Sequence, residues 1–286
     1  TEEETSHNKF RILISFGNVE KGKSLLRVAN SLINRQKETA TITAMHLSLI
    51  DEVHSFNMEE EEKNSFHPIM KESQLLKQEI TTIFKATVDI ETDISDIANN
   101  GEYDLLLVGL GKSIFEGTLL GKVLGFTTRL INPDRLIDKF TGKEGLFENS
   151  PFDERTRQII SKSKLPLGIF IDKELQKINN IFVPLLSSED SFLIDYAQKL
   201  IYNNNSKIII LDVKGHFNTN FVIKSAISSL VNKFPENIGF IEESFINKDF
   251  LPKQDLMLVS LESWKNLVNT PTSWLSGVPS VLILKP

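Results

Sequence analysis

Two stretches of this chain hold glycines, lysines and hydroxyls at spacings that can grip a phosphate. The first, Gly17-Asn18-Val19-Glu20-Lys21-Gly22-Lys23-Ser24, matches the P-loop pattern, in which backbone N–H groups cradle phosphates, a lysine reaches them and a hydroxyl holds Mg²⁺. Asp212, ending the apolar run Ile208 to Leu211, would supply a carboxylate for the same metal in an NTPase. The second stretch begins with Gly109, Gly111, Lys112 and Ser113 and continues to Gly121 and Lys122. It follows the apolar run Leu105 to Val108 and leads into a helical pattern with Leu119, Leu120, Val123 and Leu124 on one side. A glycine turn between a parallel strand and a helix offers free N–H groups and about half an elementary charge of helix dipole to an anion.

Each stretch also has a plainer reading. Asn18 is a good N-cap, so Val19 to Leu26 can form the first turns of a helix with Gly22, Lys23 and Ser24 in its body. Asp212 moreover falls in the other predicted domain. A helix start is therefore expected at Gly17 to Ser24. In the second stretch the glycines either cradle a nucleotide phosphate or serve only the geometry of a turn.

Other chemistries find little support. Cysteine is absent, which removes disulfides, thiolate metal sites and cysteine nucleophiles. The five histidines, His7, His46, His54, His67 and His216, show no i, i+4 pairing, so no metal site is expected, and His46 at a strand end is read as a hydrogen-bonded structural residue. No Ser, His and acid grouping stands out, and no catalytic residue is assigned. A net charge of −6 argues against nonspecific nucleic-acid or anionic-membrane binding, which need a positive field. No apolar run approaches the ~20 residues that span a bilayer. The chain starts at Thr1 without an initiator Met, so it is expected to be processed or part of a longer polypeptide.

At 286 residues, 40% hydrophobic and 24% charged, the chain can form two ordinary globular domains. Strands are expected at Arg11 to Phe16, Ala40 to Leu49, Thr87 to Ile90, Leu105 to Val108 and Leu165 to Ile171. A helix opening at His67-Pro68 should bury Ile69, Leu75, Leu76, Ile80 and Ile83, and Glu59 to Glu62 should be solvated and mobile. The βαβαβ pattern then restarts, with strands at Ile178 to Leu186, Lys207 to Val213, Ile238 to Glu242, Asp255 to Ser260 and Ser280 to Leu284. Leu165-Pro166-Leu167 and Val278-Pro279-Ser280 hold equivalent places before the final strands. This gives an α/β chain of two tandem Rossmann-like domains with parallel sheets, 1–176 with an insertion at about 131–154, and a reduced 177–286. In the second half no glycine follows the fourth strand until Gly277, so no nucleotide is expected there. Trp264, Trp274, Phe245 and Phe250 form either an exposed docking patch or core, and core is expected.

The stretch from Tyr103 to Leu130, with the strand start at Arg11 to Ser15, the strand ending Ala44-Met45-His46-Leu47 and the closing strand Leu165 to Phe170, resembles the universal stress protein family, whose fold is adenine nucleotide alpha hydrolase-like. The family's nucleotide motif is Gly, two residues, Gly, nine residues, Gly, then Ser or Thr. Gly109, Gly111 and Gly121 match it with one residue missing, and Lys122 replaces the hydroxyl. ATP-binding members end the first strand with Asp, where this chain has Phe16. The tandem arrangement is similar to the cytosolic C-terminal region of bacterial monovalent cation:proton antiporters. The resemblance implies a non-catalytic regulatory or assembly module on the cytoplasmic face of the inner membrane, joined to a transport domain in the same polypeptide and paired as a homodimer. No cofactor is expected, with ATP or another adenine nucleotide as the alternative, in which case the chain would be a free-standing ATP-binding stress protein. The P-loop NTPase is the third reading.

Overall fold

The computed structural model describes residues 9–50, 57–110, 152–241, 249–269 and 277–286. It divides into two compact units, Thr1–Gly109 with Gln158–Gly168, and Leu110–Arg157 with Ile169–Pro286.

In the first unit, β1 (Phe10–Phe16), β2 (Ala40–Leu49), β3 (Ile80–Thr87) and β4 (Leu105–Leu110) pair in parallel, and β5 (Leu167–Ile171), which the boundary after Gly168 divides between the units, follows in the order β3-β2-β1-β4-β5. Ile12, Leu13 and Ile14 have no exposed surface, as a strand covered on both faces requires. Asp104 sets the register of β4 on β1. Its carboxylate accepts from Arg11 N at 2.7 Å, while its own N–H donates to the Arg11 carbonyl at 2.8 Å.

Helix α1 (Val19–Ile33) starts at Asn18, whose side chain accepts from Glu20 N at 2.8 Å. Leu25, Leu26, Val28, Ala29, Leu32 and Ile33 form its buried face. Helix α2 (Met58–Leu76) differs from expectation: it begins nine residues before His67, with Pro68 inside it. Glu59, Glu60 and Glu61 lie in its first turn, where negative charge favours the positive end of the helix dipole. The charge run is helical and, apart from half-buried Glu61, exposed. Ile80 and Ile83, expected on that helix, belong to β3, because Ile80-Thr81-Thr82-Ile83-Phe84 is dense in β-branched residues. The strand expected at Thr87 to Ile90 is displaced accordingly, and α3 (Ile90–Asn100) starts there with Asp89 as N-cap.

α1 and α2 are joined by a partly buried ion pair, Arg27 Nε to Glu72 Oε1 at 2.7 Å. They also close tightly over Gly22. A Cβ there would sit 2.6 Å from Ile69 Cδ1 and 2.9 Å from Phe16 Cγ. Gly22→Ala should therefore lower stability, the overpacking cost of about 1–3 kcal/mol exceeding the ~1 kcal/mol helix-propensity gain of alanine. Urea denaturation followed by circular dichroism checks the sign, and a stabilised variant would show that the helices relax freely.

The second unit carries β6 (Asn180–Pro184), β7 (Lys207–Leu211), β8 (Ile238–Ile241), β9 (Leu256–Ser260) and β10 (Ser280–Lys285), all parallel where paired, in the order β8-β7-β6-β9-β10. Numbered from its own first strand, this is the strand order of the first unit. Helix α4 (Glu154–Lys162) precedes β5. Helices α5 (Leu193–Asn204), α6 (Phe221–Lys233) and α7 (Leu261–Asn269) connect the later strands. Pro166 and Pro279 each stand one residue before β5 and β10. Asp255 repeats the part of Asp104: its carboxylate accepts from Asn179 N and Asn180 N at 2.9 and 2.8 Å, and its N–H donates to the Asn180 carbonyl. Trp264 is wholly buried and belongs to the core, while Phe250 is half-buried and packs edge-on to Phe182 at 5.5 Å. Phe245 and Trp274 lie outside the described residues, as do 131–151 of the expected insertion.

Candidate functional site

In open parallel sheets ligands bind beyond the carboxyl ends of the strands, where the strand order reverses. Here that means the ends of β1 and β4 in the first unit and of β6 and β9 in the second.

On the β4 side, Gly111, Lys112, Ser113, Gly121 and Lys122 lie outside the described residues. Gly109 is described, and it belongs to β4 itself. Among the described glycines only Gly215 has positive φ, so the free turn expected at Gly109 is strand instead. A Cβ on Gly109 would meet Leu25 Cδ1 at 3.8 Å and Lys21 Cβ at 3.9 Å, ordinary contacts that do not require glycine.

On the β1 side the structure builds a rung of rings. Parallel register places Phe16 beside His46 and His46 beside Phe84. Phe16 and His46 stack at 5.1 Å and 23°, His46 and Phe84 at 6.0 Å and 29°, and Phe66 of α2 meets Phe16 edge-on at 5.8 Å. Such offset and edge-on geometries suit the ring quadrupoles. His46 Nδ1 is 2.9 Å from the Phe16 carbonyl, and Nε2 is 3.1 Å from Ser48 Oγ. The carbonyl can only accept, so Nδ1 carries a proton and donates to it, and Nε2 shares a second hydrogen bond with Ser48 Oγ. His46 is thus the hydrogen-bonded structural residue expected, and Phe16 is 4% exposed. The rung itself was not read from sequence. Its signal is the shared register of residues 16, 46 and 84, which needs strand pairing to be known.

The loop-like motif Gly17 to Ser24 is absorbed as the plainer reading expects. Gly22 N donates to the Asn18 carbonyl at 3.0 Å within α1, and Lys23 Nζ lies 3.4 Å from Glu20 Oε2. With its amides committed to helix hydrogen bonds, Gly22 cannot wrap a phosphate. Its glycine identity answers to α2 and Phe16. Asp212 is committed too, its carboxylate accepting from His216 N and Phe217 N at 2.8 Å each. Among the described residues no group of three or more His, Cys, Asp or Glu is placed to hold a metal.

In the second unit, Asp190 stitches the two strand ends together. Its Oδ2 accepts from Leu186 N at 2.9 Å and Ser187 N at 3.0 Å after β6, and from Ser263 Oγ at 2.8 Å at the start of α7. Ser263 N in turn donates to Ser260 Oγ at 3.1 Å at the end of β9. Asp190 and Ser263 have no exposed surface, and Asp190 Oδ1 is buried without a hydrogen-bond partner. A buried carboxylate here opposes phosphate by charge, in addition to the missing glycines. Sequence reasoning missed Asp190 because an acid in a Ser-Ser-Glu-Asp-Ser loop reads as solvated.

No family model matches the sequence. No curated protein matches it either. Solved structures do. The cytoplasmic domain of a prokaryotic cation chloride cotransporter superposes with TM-score 0.53 at 13% identity, over 96% of this chain and 95% of that one. A universal stress protein from Archaeoglobus fulgidus gives TM-score 0.52 at 11% identity, over 97% and 96% of the two chains. A functionally unknown protein from Pseudomonas aeruginosa gives 0.50 at 12% identity, over 98% and 94%. At these identities the likeness speaks of architecture: the chain has a universal stress protein-like α/β fold with a mostly parallel sheet.

Proposed function

We propose that this chain is a non-catalytic regulatory or assembly module of a membrane cation:proton antiporter, working on the cytoplasmic side as two tandem copies of one nucleotide-type scaffold. The observation that carries the reading is Phe16. The end of β1, where an ATP-binding scaffold needs a hydrogen-bonding carboxylate, holds a buried phenyl ring stacked on His46. The buried Asp190 carboxylate has a comparable effect in the second unit. A scaffold whose ligand ends are filled by its own side chains retains its surface for contacts. Regulation then works by contacts that differ between two states of the transport domain, since only differential binding shifts an equilibrium. The assignment to a transporter rests on the sequence resemblance, together with the fold shared with a cytoplasmic domain of a cation chloride cotransporter. Among the described residues no helix is long and apolar enough to cross a membrane, so the transport chemistry would belong to another part of the polypeptide.

A second reading, a free-standing ATP-binding stress protein, is favoured by the likeness to the Archaeoglobus fulgidus protein. Isothermal calorimetry with Mg-ATP separates the two: the regulatory reading expects no saturable heat at Kd below about 1 mM. Saturable binding that Lys112→Ala with Lys122→Ala abolishes would establish the second reading. Immunoblotting of the bacterial cells that make the chain gives an independent check. The proposal expects a membrane-bound band well above the 32.4 kDa of these residues, and a band of that mass outside the membrane fraction would overturn it.

A further inference from the structure

β3 is the outermost strand of the first unit, with β2 its neighbour among the described strands. The Thr87 carbonyl accepts from Ile50 N at 2.9 Å, just past the end of β2, so the odd-numbered residues of β3 turn their backbone groups toward β2. Backbone groups alternate in direction along a strand, so the N–H and C=O of Ile80, Thr82 and Phe84 point outward. Natural sheets blunt such edges with short strands, lysines, prolines or bulges. β3 runs for eight residues, and its stretch Ile80-Thr81-Thr82-Ile83-Phe84 carries neither charge nor proline. Uncharged β-formers on an open edge are a template for another strand.

We propose that this edge is a dimerisation site, where β3 of one copy joins β3 of a second copy in antiparallel order about a twofold axis through Thr82. Two constraints choose that register. Opposed residues in an antiparallel pair must both turn their backbone groups into the shared ladder or both turn them away. Because the two strands are identical, the axis must then pass through a residue and not between two. An axis through Thr82 sets Glu79 opposite Lys85 of the second copy, Ile80 opposite Phe84, Thr81 opposite Ile83 and Thr82 opposite itself. One residue either way, Glu79 falls opposite Ile83 or Thr87 and the charge pair is lost at both ends.

The rungs so formed are of favourable kinds: opposite charges, a β-branched residue against an aromatic, and threonine against threonine. Ile80, Thr82 and Phe84 would close about six ladder hydrogen bonds across the axis. The row of rings from Phe16 through His46 ends at half-buried Phe84, on the open edge, and Ile80 of the second copy would extend it. Glu79, one residue before β3, is exposed, and alternation puts it on the face of Lys85. Lys85 already pairs with Asp93 of α3 at 3.0 Å. Its ammonium has three N–H donors, enough for both carboxylates.

The chain has no cysteine, so a single introduced thiol reports alone, and Thr81 and Thr82 are both exposed. In the proposed pair Thr82 faces its own copy at a Cα separation of about 5.5 Å, inside the disulfide range, while Thr81 meets its copy on a diagonal of about 7–8 Å, outside it. Under mild oxidation Thr82→Cys should form a covalent dimer about tenfold faster than Thr81→Cys. Sedimentation of the wild-type chain between about 1 and 200 μM should show dimer growing with concentration. Glu79→Lys leaves the Lys85–Asp93 pair in place but opposes like charges at both ends, and should raise the dimer Kd about tenfold. Thr82→Pro removes an N–H that β2 does not use, and should abolish the dimer with circular dichroism unchanged. A chain that stays monomeric at about 200 μM, equal crosslinking of the two cysteine variants, or a dimer that neither Glu79→Lys nor Thr82→Pro weakens would overturn the proposal. The inference goes beyond the transport reading, whose calorimetric and immunoblot tests a monomer would leave untouched.

Discussion

Replacing Asp190 by alanine should lower the stability of the second unit by about 4 kcal/mol, since two backbone N–H groups and a buried hydroxyl lose a charged acceptor, each such bond contributing roughly 1.5–3 kcal/mol net of cooperativity. The cost arises largely from the donors left behind. Leu186 N, Ser187 N and Ser263 Oγ are held where the loop after β6 meets the start of α7, and water has no direct access to the wholly buried Asp190. Asp190→Asn separates charge from geometry. Its amide oxygen can replace Oδ2, but an NH₂ then falls near the site of Oδ1, which is buried and lacks a partner. A cost of about 2 kcal/mol is expected for that variant. Both tryptophans lie at positions 264 and 274, so fluorescence reports this unit selectively, and Trp264 is one residue from Ser263. A fall in the urea midpoint at constant m is the readout. An unchanged midpoint for Asp190→Ala would mean that the stitch does not hold the strand ends.

Phe16→Asp supplies the carboxylate that an ATP-binding relative would have, and it should cost more than 3–5 kcal/mol without creating a nucleotide site. Truncating a buried phenyl ring alone accounts for about that range. The new carboxylate would in addition face His46 and Phe66 from a position 4% exposed, with Gly22 and Ile69 closing the space above it. Circular dichroism at 222 nm reads the loss, because the first unit contains no tryptophan. Phe16→Leu, which keeps volume and loses only the stacking, should cost about 1–1.5 kcal/mol and gives a folded control. A stable Phe16→Asp protein that gives saturable heat with Mg-ATP would show that the ring had merely displaced a working site, and would defeat the regulatory reading at its carrying observation.

Much of this molecule follows from local chemistry. Asn18 before a 3.6-residue apolar pattern is sufficient for the start of α1, and it disposes of the P-loop match, because a residue whose N–H closes a helical turn cannot also wrap a phosphate. The apolar runs Leu105 to Val108 and Ile208 to Leu211 are buried strands, and Pro166 and Pro279 mark the last strand of each series. Where two local signals competed, sequence misjudged the boundary. Pro68 suggested a helix start but sits inside α2, because the four glutamates before it favour the helix amino end and Phe66 and Ile69 bury against neighbours.

What sequence determined by itself was the kind of element at most places, Ile80 to Thr87 excepted, and with it the α/β class, since period and capping act between residues a few positions apart. The tertiary structure alone decided the character of the strand ends. Phe16, His46 and Phe84 meet only because β1, β2 and β3 pair in one register, and Asp190 reaches Ser263 across 73 residues. Asp104 and Asp255 likewise show their matching parts only once each is seen accepting from the start of a distant strand. Contacts of that kind depend on how strands line up in space, and that alignment is a property of the whole sheet.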